Sequence, residues 1–491
     1  MNLLSSIDEI KEFFKQNTTP IYYVAPNSFN LMGIEKWVSN FRFIAYEDSF
    51  DGQLESLFVP KKLRPKTEFK DTPQITNYLL SHPEVIDFIN QNGKPDDNGK
   101  VVFLLFDERT KSLAEKLNLE VYCPSASLIS YLNNKSHLGD IAEKAEVACV
   151  PNILAKLNSY MHLKPLAGSL GDDLVIQTPY GHSGENTFFI SNEADYKKYA
   201  DTIEKEKYVK IMKRLDSYGA AIEACVTKSG VVLSPVFKRL VGIGELTPNQ
   251  AGWCGNTLTP NTFSKQVTDK IKEYTTKFGN HILEQGYRGS FQLDFMIDKE
   301  DQDEIYLGEF NPLLTAISSL TNNLYFANNR IPIFLFHLLE WMDIPFNIDI
   351  EELNSNWSTE NLEESWSILS VKHVVDTCEK VTDTCYSGIW KMKMDCNIAY
   401  NYFECLSQVV LKDKEVFFVN SVRNGDEISL GTDLGYLIIK GEVAKADAEL
   451  NKKTIKWLNA IRSQYRSEII SFTEDQKEID KNNIPYFLRP S

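Results

Sequence analysis

Phe291-Gln-Leu-Asp-Phe-Met-Ile297 and Tyr306-Leu-Gly-Glu-Phe-Asn-Pro312 are two apolar runs joined by the polar stretch Asp298 to Glu304, the pattern of a β-hairpin. With the turn centred near Asp301 and Gln302, Asp294 falls opposite Glu309, and opposed side chains of a hairpin stand roughly 5 Å apart on one face. Asn311 shares that face because side chains alternate along a strand. Leu293, Phe295, Leu307 and Phe310 suit both strands to burial, so two adjacent carboxylates among them need compensating charge. A hard cation supplies it: two carboxylates and one amide oxygen match magnesium held jointly by protein and phosphate oxygens. The competing reading is an acid pair solvated at a strand end. Structural calcium would want roughly six to eight oxygens, more than these three side chains provide.

Working outward, the chain of 491 residues exceeds one ordinary core, and about 150 residues per domain suggests three domains. Hydrophobic residues at 43% and charged residues at 24% are those of a soluble globular protein. A formal charge of −16 argues against nucleic acid or an anionic membrane as partner and leaves small molecules. The eight cysteines show neither Cys-x-x-Cys pairing nor zinc-ligand spacing and read as reduced thiols of a cytoplasmic protein. Met1 to Lys15 carries Asp8, Glu9 and Glu12 and no basic start followed by an apolar run, so no secretory signal is expected. The apolar stretch Ile331 to Met342, interrupted by His337 and Glu340, is too short to span a bilayer and predicts a buried helix.

Ser6-Ile-Asp-Glu9 is a capping-box pattern opening a helix before the strand-like Ile21-Tyr-Tyr-Val24, and a second strand runs over Val101 to Phe106, with Gln91 to Lys100 a loop. These elements predict an α/β domain over residues 1–130. Leu138, Ile141, Ala142 and Ala145 then share one face of a helix headed by Lys135. Leu174-Val-Ile-Gln177 and Phe188-Phe-Ile190 flank Gly181-His-Ser-Gly184, a flap whose glycines let backbone N–H groups approach phosphate oxygens. Tyr208 to Leu215, Ala221 to Val226 and Gly230 to Leu240 read as further strands, completing an α+β central domain over 131–350. The acidic stretch Asp349 to Glu364 reads as a linker into a mixed domain over 351–491, with a strand at Val416 to Val419 and a helix at Leu450 to Tyr465. Lys391-Met-Lys-Met394 has the form of a biotin-accepting motif, but such alternation is also that of a strand with one buried face, the favoured reading. Trp253-Cys-Gly255 lies in a loop, and Cys254 has no histidine nearby in sequence to activate it.

The order of these parts resembles the ATP-grasp superfamily. Asn134 to Pro151 looks like its lysine-headed helix leading into a Val-Pro strand, Leu174 to Phe189 like its glycine-rich phosphate-covering hairpin, and Gly289 to Asp294 with Leu307 to Asn311 like its paired metal strands. The remainder, including Ser387-Gly-Ile-Trp390 and Asp433-Leu-Gly-Tyr436, is similar to peptide ligases of the pheganomycin type. The resemblance implies an α/β ATP-grasp fold and a ligase in which a carboxylate attacks the γ-phosphate of ATP, giving an acyl phosphate that an amine converts to an amide, with ADP and phosphate released. It implies two magnesium ions, with manganese as an alternative: Asp294 holding one, Glu309 bridging both and Asn311 holding the second. It further implies Lys135, Gln177 and the flap residues Gly181, His182, Ser183 and Gly184 on the nucleotide phosphates. Lys210 to Leu215, with Lys210, Met212 and Lys213, would form the hinge against adenine. Lys238, Arg239 and Arg288 would steady the transferred phosphoryl group or the substrate carboxylate. The substrates implied are an amino acid or peptide and an amine, and the resemblance favours a homodimer. Two positions depart from the family pattern: Gln177 stands where a lysine is usual, and Leu313 where many members have arginine. Other basic residues are expected to substitute. The alternatives are a non-catalytic nucleotide-binding regulatory or scaffold protein, motivated by those two positions, and a biotin-carboxylase-like enzyme.

Overall fold

A computed structural model describes residues 3–63, 69–94, 97–180, 186–302, 304–323, 331–356, 364–394, 397–402, 411–412, 414–446 and 449–472. The chain forms two compact units, one of Met1–Tyr46, Phe58–Lys238 and Asn261–Asn361, the other of Glu47–Leu57, Arg239–Pro260 and Leu362–Ser491.

The first unit opens with a helix, Ile7–Lys15, whose Ser6 hydroxyl accepts the Glu9 N–H as the capping pattern predicts. β1 (Ile21–Ala25), β2 (Phe41–Ala45), β3 (Gly99–Phe103) and β4 (Leu119–Val121) follow, paired in parallel in the order β2-β1-β3-β4. Every residue of β1 is buried, as expected where helices cover both faces of a parallel sheet. Two short helices, α1 (Ala126–Asn133) and α2 (Leu138–Lys144), lead out of this layer, with Lys135 between them.

An antiparallel sheet comes next, built of β5 (Asn152–Ala155), β6 (Leu174–Gln177), β7 (Thr187–Ile190) and β8 (Val209–Lys213) in the order β5-β8-β6-β7. Leu174, Ile176, Ile190, Val209 and Ile211 fill a core on one of its faces. Val175 and Met212, one position out of phase, join a second apolar cluster on the other face. β9 (Ser217–Thr227) pairs antiparallel with β10 (Gly289–Asp298), which pairs with β11 (Ile305–Pro312). One face of this sheet packs Ile222, Leu293, Phe295, Leu307 and Phe310 against Val267, Ile271, Phe278 and Ile282 of α3 (Lys265–Glu284). The other face is free to carry polar groups. α4 (Ala316–Asn323) follows β11, and the apolar run at 331–342 folds as the buried helix α5 (Ile333–Trp341).

Three local expectations change. Trp253-Cys-Gly255, read as part of a loop, opens the strand Trp253–Leu258. The continuous strand over 230–240 is two strands, Gly230–Leu233 and Phe237–Val241, because Pro235 between them cannot donate to a ladder. The stretch read as a linker holds a helix, Ile350–Asn356, whose Leu353 is buried.

The second unit is mainly antiparallel. Trp253–Leu258, Trp366–Lys372, Asp433–Lys440, Glu415–Asn420, Gly388–Met392 and Ile398–Tyr402 pair in that order, and Trp457, Leu458 and Ile461 of the helix Lys452–Arg462 enter its core. Met392 packs partly against that core, whereas Met394 is exposed past the strand end, so only the first half of Lys391–Met394 behaves as a strand with one buried face. Cys254 is buried, and burial pushes its thiol up to about 11, unsuited to a nucleophile. Among the described residues no helix is long and apolar enough to cross a membrane.

Candidate functional site

The acid-bearing face of the large sheet consists of two rows. Ala221, Asp294 and Glu309 are register partners across β9, β10 and β11, and Glu223, Gln292 and Asn311 form the neighbouring row. Leu307 and Phe310 differ in parity yet both face the core, which strict alternation forbids. The register shifts between Asp294 and Phe295, leaving Gly308 as an extra residue on β11. A bulge of this kind resets the phase, so Leu307 and Phe310 point inward while Glu309 and Asn311 stay beside Asp294.

Asp294 is 3% exposed. The Gln292 Nε2 amide donates to its Oδ1 at 2.7 Å and the Asn311 Nδ2 amide to its Oδ2 at 3.2 Å, and the Thr315 hydroxyl donates to Gln292 Oε1. Glu223, fully buried behind them, accepts from Ser318 Oγ at 2.5 Å and Thr321 Oγ1 at 2.6 Å of α4. Burial raises its pKa, with the two hydroxyls opposing. α4 thus fixes Glu223 on β9, and Thr315, just before α4, fixes Gln292 on the hairpin.

Cations arrive from distant parts of the chain. Lys135 Nζ is 3.2 Å from Glu309 Oε1, and the Lys135 N–H donates to the Pro179 carbonyl just beyond β6. This places the helix-heading lysine, the base of the flap and the metal-strand carboxylate together. Lys210 on β8 is 1% exposed and donates to Cys149 Sγ at 3.9 Å. Cys149 is itself anchored to β11, where Leu307 N–H donates to the Ala148 carbonyl at 2.7 Å and the Cys149 thiol to the Leu307 carbonyl at 3.3 Å. Burial lowers the Lys210 pKa and the Lys135 ammonium lowers it further, while the Cys149 sulfur and the Glu309 carboxylate oppose them. Beside these groups Val150, Val175 and Met212 form an apolar patch with partly buried Phe189, Leu215, Met296 and Tyr306. Met296 lies two residues from Asp294 on β10, so the patch joins the two sheets next to the acids.

Several expected residues lie elsewhere. Arg288 precedes β10 six residues before Asp294, about 20 Å along a strand, and pairs with Glu340 at 3.7 Å and Asp343 at 3.8 Å, its guanidinium over Trp341. Lys238 is the register partner of Ala220, which lies opposite Phe295. It therefore projects on the core face, its ammonium 5.4 Å from the Tyr218 ring. Arg239, the next residue of the strand Phe237–Val241, alternates to the face opposite Lys238. Lys213 is exposed at the end of β8, while Met212 is buried in the apolar patch. Gln177 donates to Thr187 Oγ1 across the flap strands at 3.2 Å. Gly181, His182, Ser183 and Gly184 lie outside the described residues. Leu313, at the position usually held by arginine, is buried with a left-handed φ of 70°. Sequence reasoning missed Gln292, Thr315 and Glu223. Gln292 and Glu223 were legible as polar residues in phase with the acid inside otherwise apolar strands.

Among the described residues no three His, Cys, Asp or Glu side chains gather as a metal cage. Asp294, Glu309 and Asn311 instead offer a partial set of hard oxygen donors, which fits magnesium completed by phosphate oxygens and water. Lys135 on Glu309 shows that this carboxylate already holds a cation.

No protein-family model and no curated protein matches the chain in sequence. Among solved structures it is similar to a biotin carboxylase–β,γ-ATP complex from Campylobacter jejuni, with a TM-score of 0.58 and 13% identity, covering 93% of this chain and 94% of that one. It is similar to the biotin carboxylase domain dimer of the Hydrogenobacter thermophilus 2-oxoglutarate carboxylase, solved with MgADP, ADP and bicarbonate, with a TM-score of 0.59, 10% identity and 92% of each chain covered. A third match is N5-carboxyaminoimidazole ribonucleotide synthetase from Thermotoga maritima, with a TM-score of 0.52 and 13% identity over 91% of this chain and 99% of that one. These neighbours are ATP-grasp enzymes, and the fold of this chain is the ATP-grasp fold.

Proposed function

We propose that this chain is an ATP-dependent ligase that activates a carboxylate as its acyl phosphate and transfers the acyl group to an amine, forming a C–N bond. The observation that carries the reading is the convergence of Asp294, Glu309 and Asn311 with Lys135 and Lys210 beside an apolar patch between two sheets. The patch suits a purine ring and the lysines suit a phosphate chain. Asp294, Glu309 and Asn311 would hold one or two magnesium ions, which neutralise the charge that develops on the transferred phosphoryl group. Gln292 and Asn311 keep the Asp294 carboxylate oriented. Lys135 would exchange Glu309 for phosphate when nucleotide enters. The three-part division at residues 130 and 350, a homodimer and a cytoplasmic location belong to the same proposal. An amino acid or peptide is the proposed acid, as in the pheganomycin-type ligases the sequence resembles.

A second reading has one observation in its favour: the carboxylase-type neighbours match this chain over nine-tenths of its length, second unit included. In that reading bicarbonate is the acid phosphorylated and the nitrogen acceptor is carboxylated. Magnesium-dependent ADP and phosphate release, followed across amino acids, dipeptides and bicarbonate with product masses read in parallel, separates the two. Phosphate release with a new amide mass supports the ligase, and a bicarbonate requirement with a carboxylated product replaces it by the carboxylase. ATP binding without turnover on any acid, hydroxylamine trapping included, favours the non-catalytic alternative.

A further inference from the structure

We propose that Lys210 is a phosphate-binding cation of this cleft, acting from β8 at the cross-strand position where its neighbour Gln177 on β6 brings no charge. The inference rests on the nucleotide reading above and deepens it, since that reading alone would count Lys210 only as part of the hinge. Lys210 and Gln177 are register partners, so their side chains start about 5 Å apart on one face of the sheet and address the same space. Gln177 is tied across the flap to Thr187.

Lys210 has no comparable structural tie. A lysine buried to 1% usually has a carboxylate partner, yet its hydrogen bond among the described residues goes to the Cys149 sulfur at 3.9 Å. Two ammonium groups, Lys135 and Lys210, share the influence of Glu309. Asp294 stands beside Glu309, so two carboxylates face the two ammonium groups, and magnesium held by those carboxylates would leave both lysines to the phosphate oxygens. Position along the strand agrees. Met212, on the same side of β8 and in the apolar patch, is two residues or about 7 Å from Lys210, so a base resting on Met212 directs its phosphates toward Lys210 and the acids.

The test uses the full-length protein and calorimetric titration with Mg-ATP and, separately, adenosine. Lys210→Met is expected to weaken ATP roughly 10- to 100-fold, the worth of a charge-assisted contact, to leave adenosine affinity unchanged, and to melt at or above the wild-type temperature. The double variant Gln177→Lys/Lys210→Gln is expected to regain most of the ATP affinity that Lys210→Gln loses. Wild-type ATP affinity in Lys210→Met, equal losses for ATP and adenosine, or no recovery in the double variant would each overturn the assignment. If Lys210→Met does not fold, Lys210→Arg and Lys210→Gln decide: retention by arginine and loss by glutamine support the proposal, and equal affinities refute it. A wild-type chain that binds neither ATP nor adenosine refutes the nucleotide reading itself, an outcome distinct from wild-type binding that survives loss of Lys210.

Discussion

Asp294 and Glu309 stand in different surroundings although they are register partners. Asp294 is buried and receives an amide on each oxygen, whereas Glu309 is partly open and faces Lys135. Glu309→Gln is therefore expected to keep the fold and lower phosphate release roughly 100-fold or more, as loss of a metal ligand does. Asp294→Asn should act similarly on turnover and also cost about 1–2 kcal/mol of stability, because its amide nitrogen must face one of two existing donors. Steady-state phosphate release and urea unfolding check both. Unchanged turnover in the two variants would remove the metal assignment. The opposed acids and Asn311 were legible in the sequence because one hairpin relates them. Gln292, which holds Asp294, carries a weaker signal, a single uncharged polar side chain in phase with the acid.

At the scale of elements, β10 depends on its first residue. Gly289 has a φ of 96°, and a Cβ there would lie 2.3 Å from His337 Nδ1 and 3.1 Å from Trp341 Nε1. A left-handed conformation costs a side chain about 1–2 kcal/mol and overpacking about 1–3 more. Gly289→Ala is thus expected to destabilise the protein by about 3 kcal/mol, measured by urea unfolding, and to reduce activity only in proportion to the unfolded fraction. A variant as stable as wild type would show that α5 can yield at this point. The bulge at Gly308 has the opposite character. It follows from parity, since Leu307 and Phe310 cannot both be buried beside an outward Glu309 on a regular strand, and that conflict is written into the spacing of the three residues.

For the molecule as a whole, His337 joins the parallel-sheet layer to the site-bearing sheet. Its Nδ1 accepts the Ser290 N–H at 3.0 Å and its Nε2 donates to the Tyr122 carbonyl at 2.9 Å, which requires the neutral ring. Burial lowers its pKa from 6.5 to about 4, against the opposing hydrogen bond to Tyr122. A depressed folded pKa contributes stability that is fully present above pH 6.5 and is lost as pH falls through 4. The difference amounts to about 3 kcal/mol. Urea midpoints measured between pH 7.5 and 4 should fall more steeply for wild type than for His337→Gln, in which nothing titrates at this position. Parallel curves would show that His337 protonates without opening the structure.

Local spacing alone determined the acid hairpin, the strands of the N-terminal layer, the flap strands and the buried helix at 333–341, because alternation, caps and apolar runs act over a few residues. Only tertiary packing decided which cations serve the acids. Lys135, Lys210, Lys238 and Arg288 are alike as basic residues near strands or helix ends. Their roles diverge because β8 and the segment after α1 fold onto β11 across more than 90 residues of chain, while Lys238 takes the core face and Arg288 is drawn to Glu340 and Asp343. Side-chain alternation is a property of one strand, but which face meets a distant lysine depends on how sheets pack, and no periodicity within either segment encodes that.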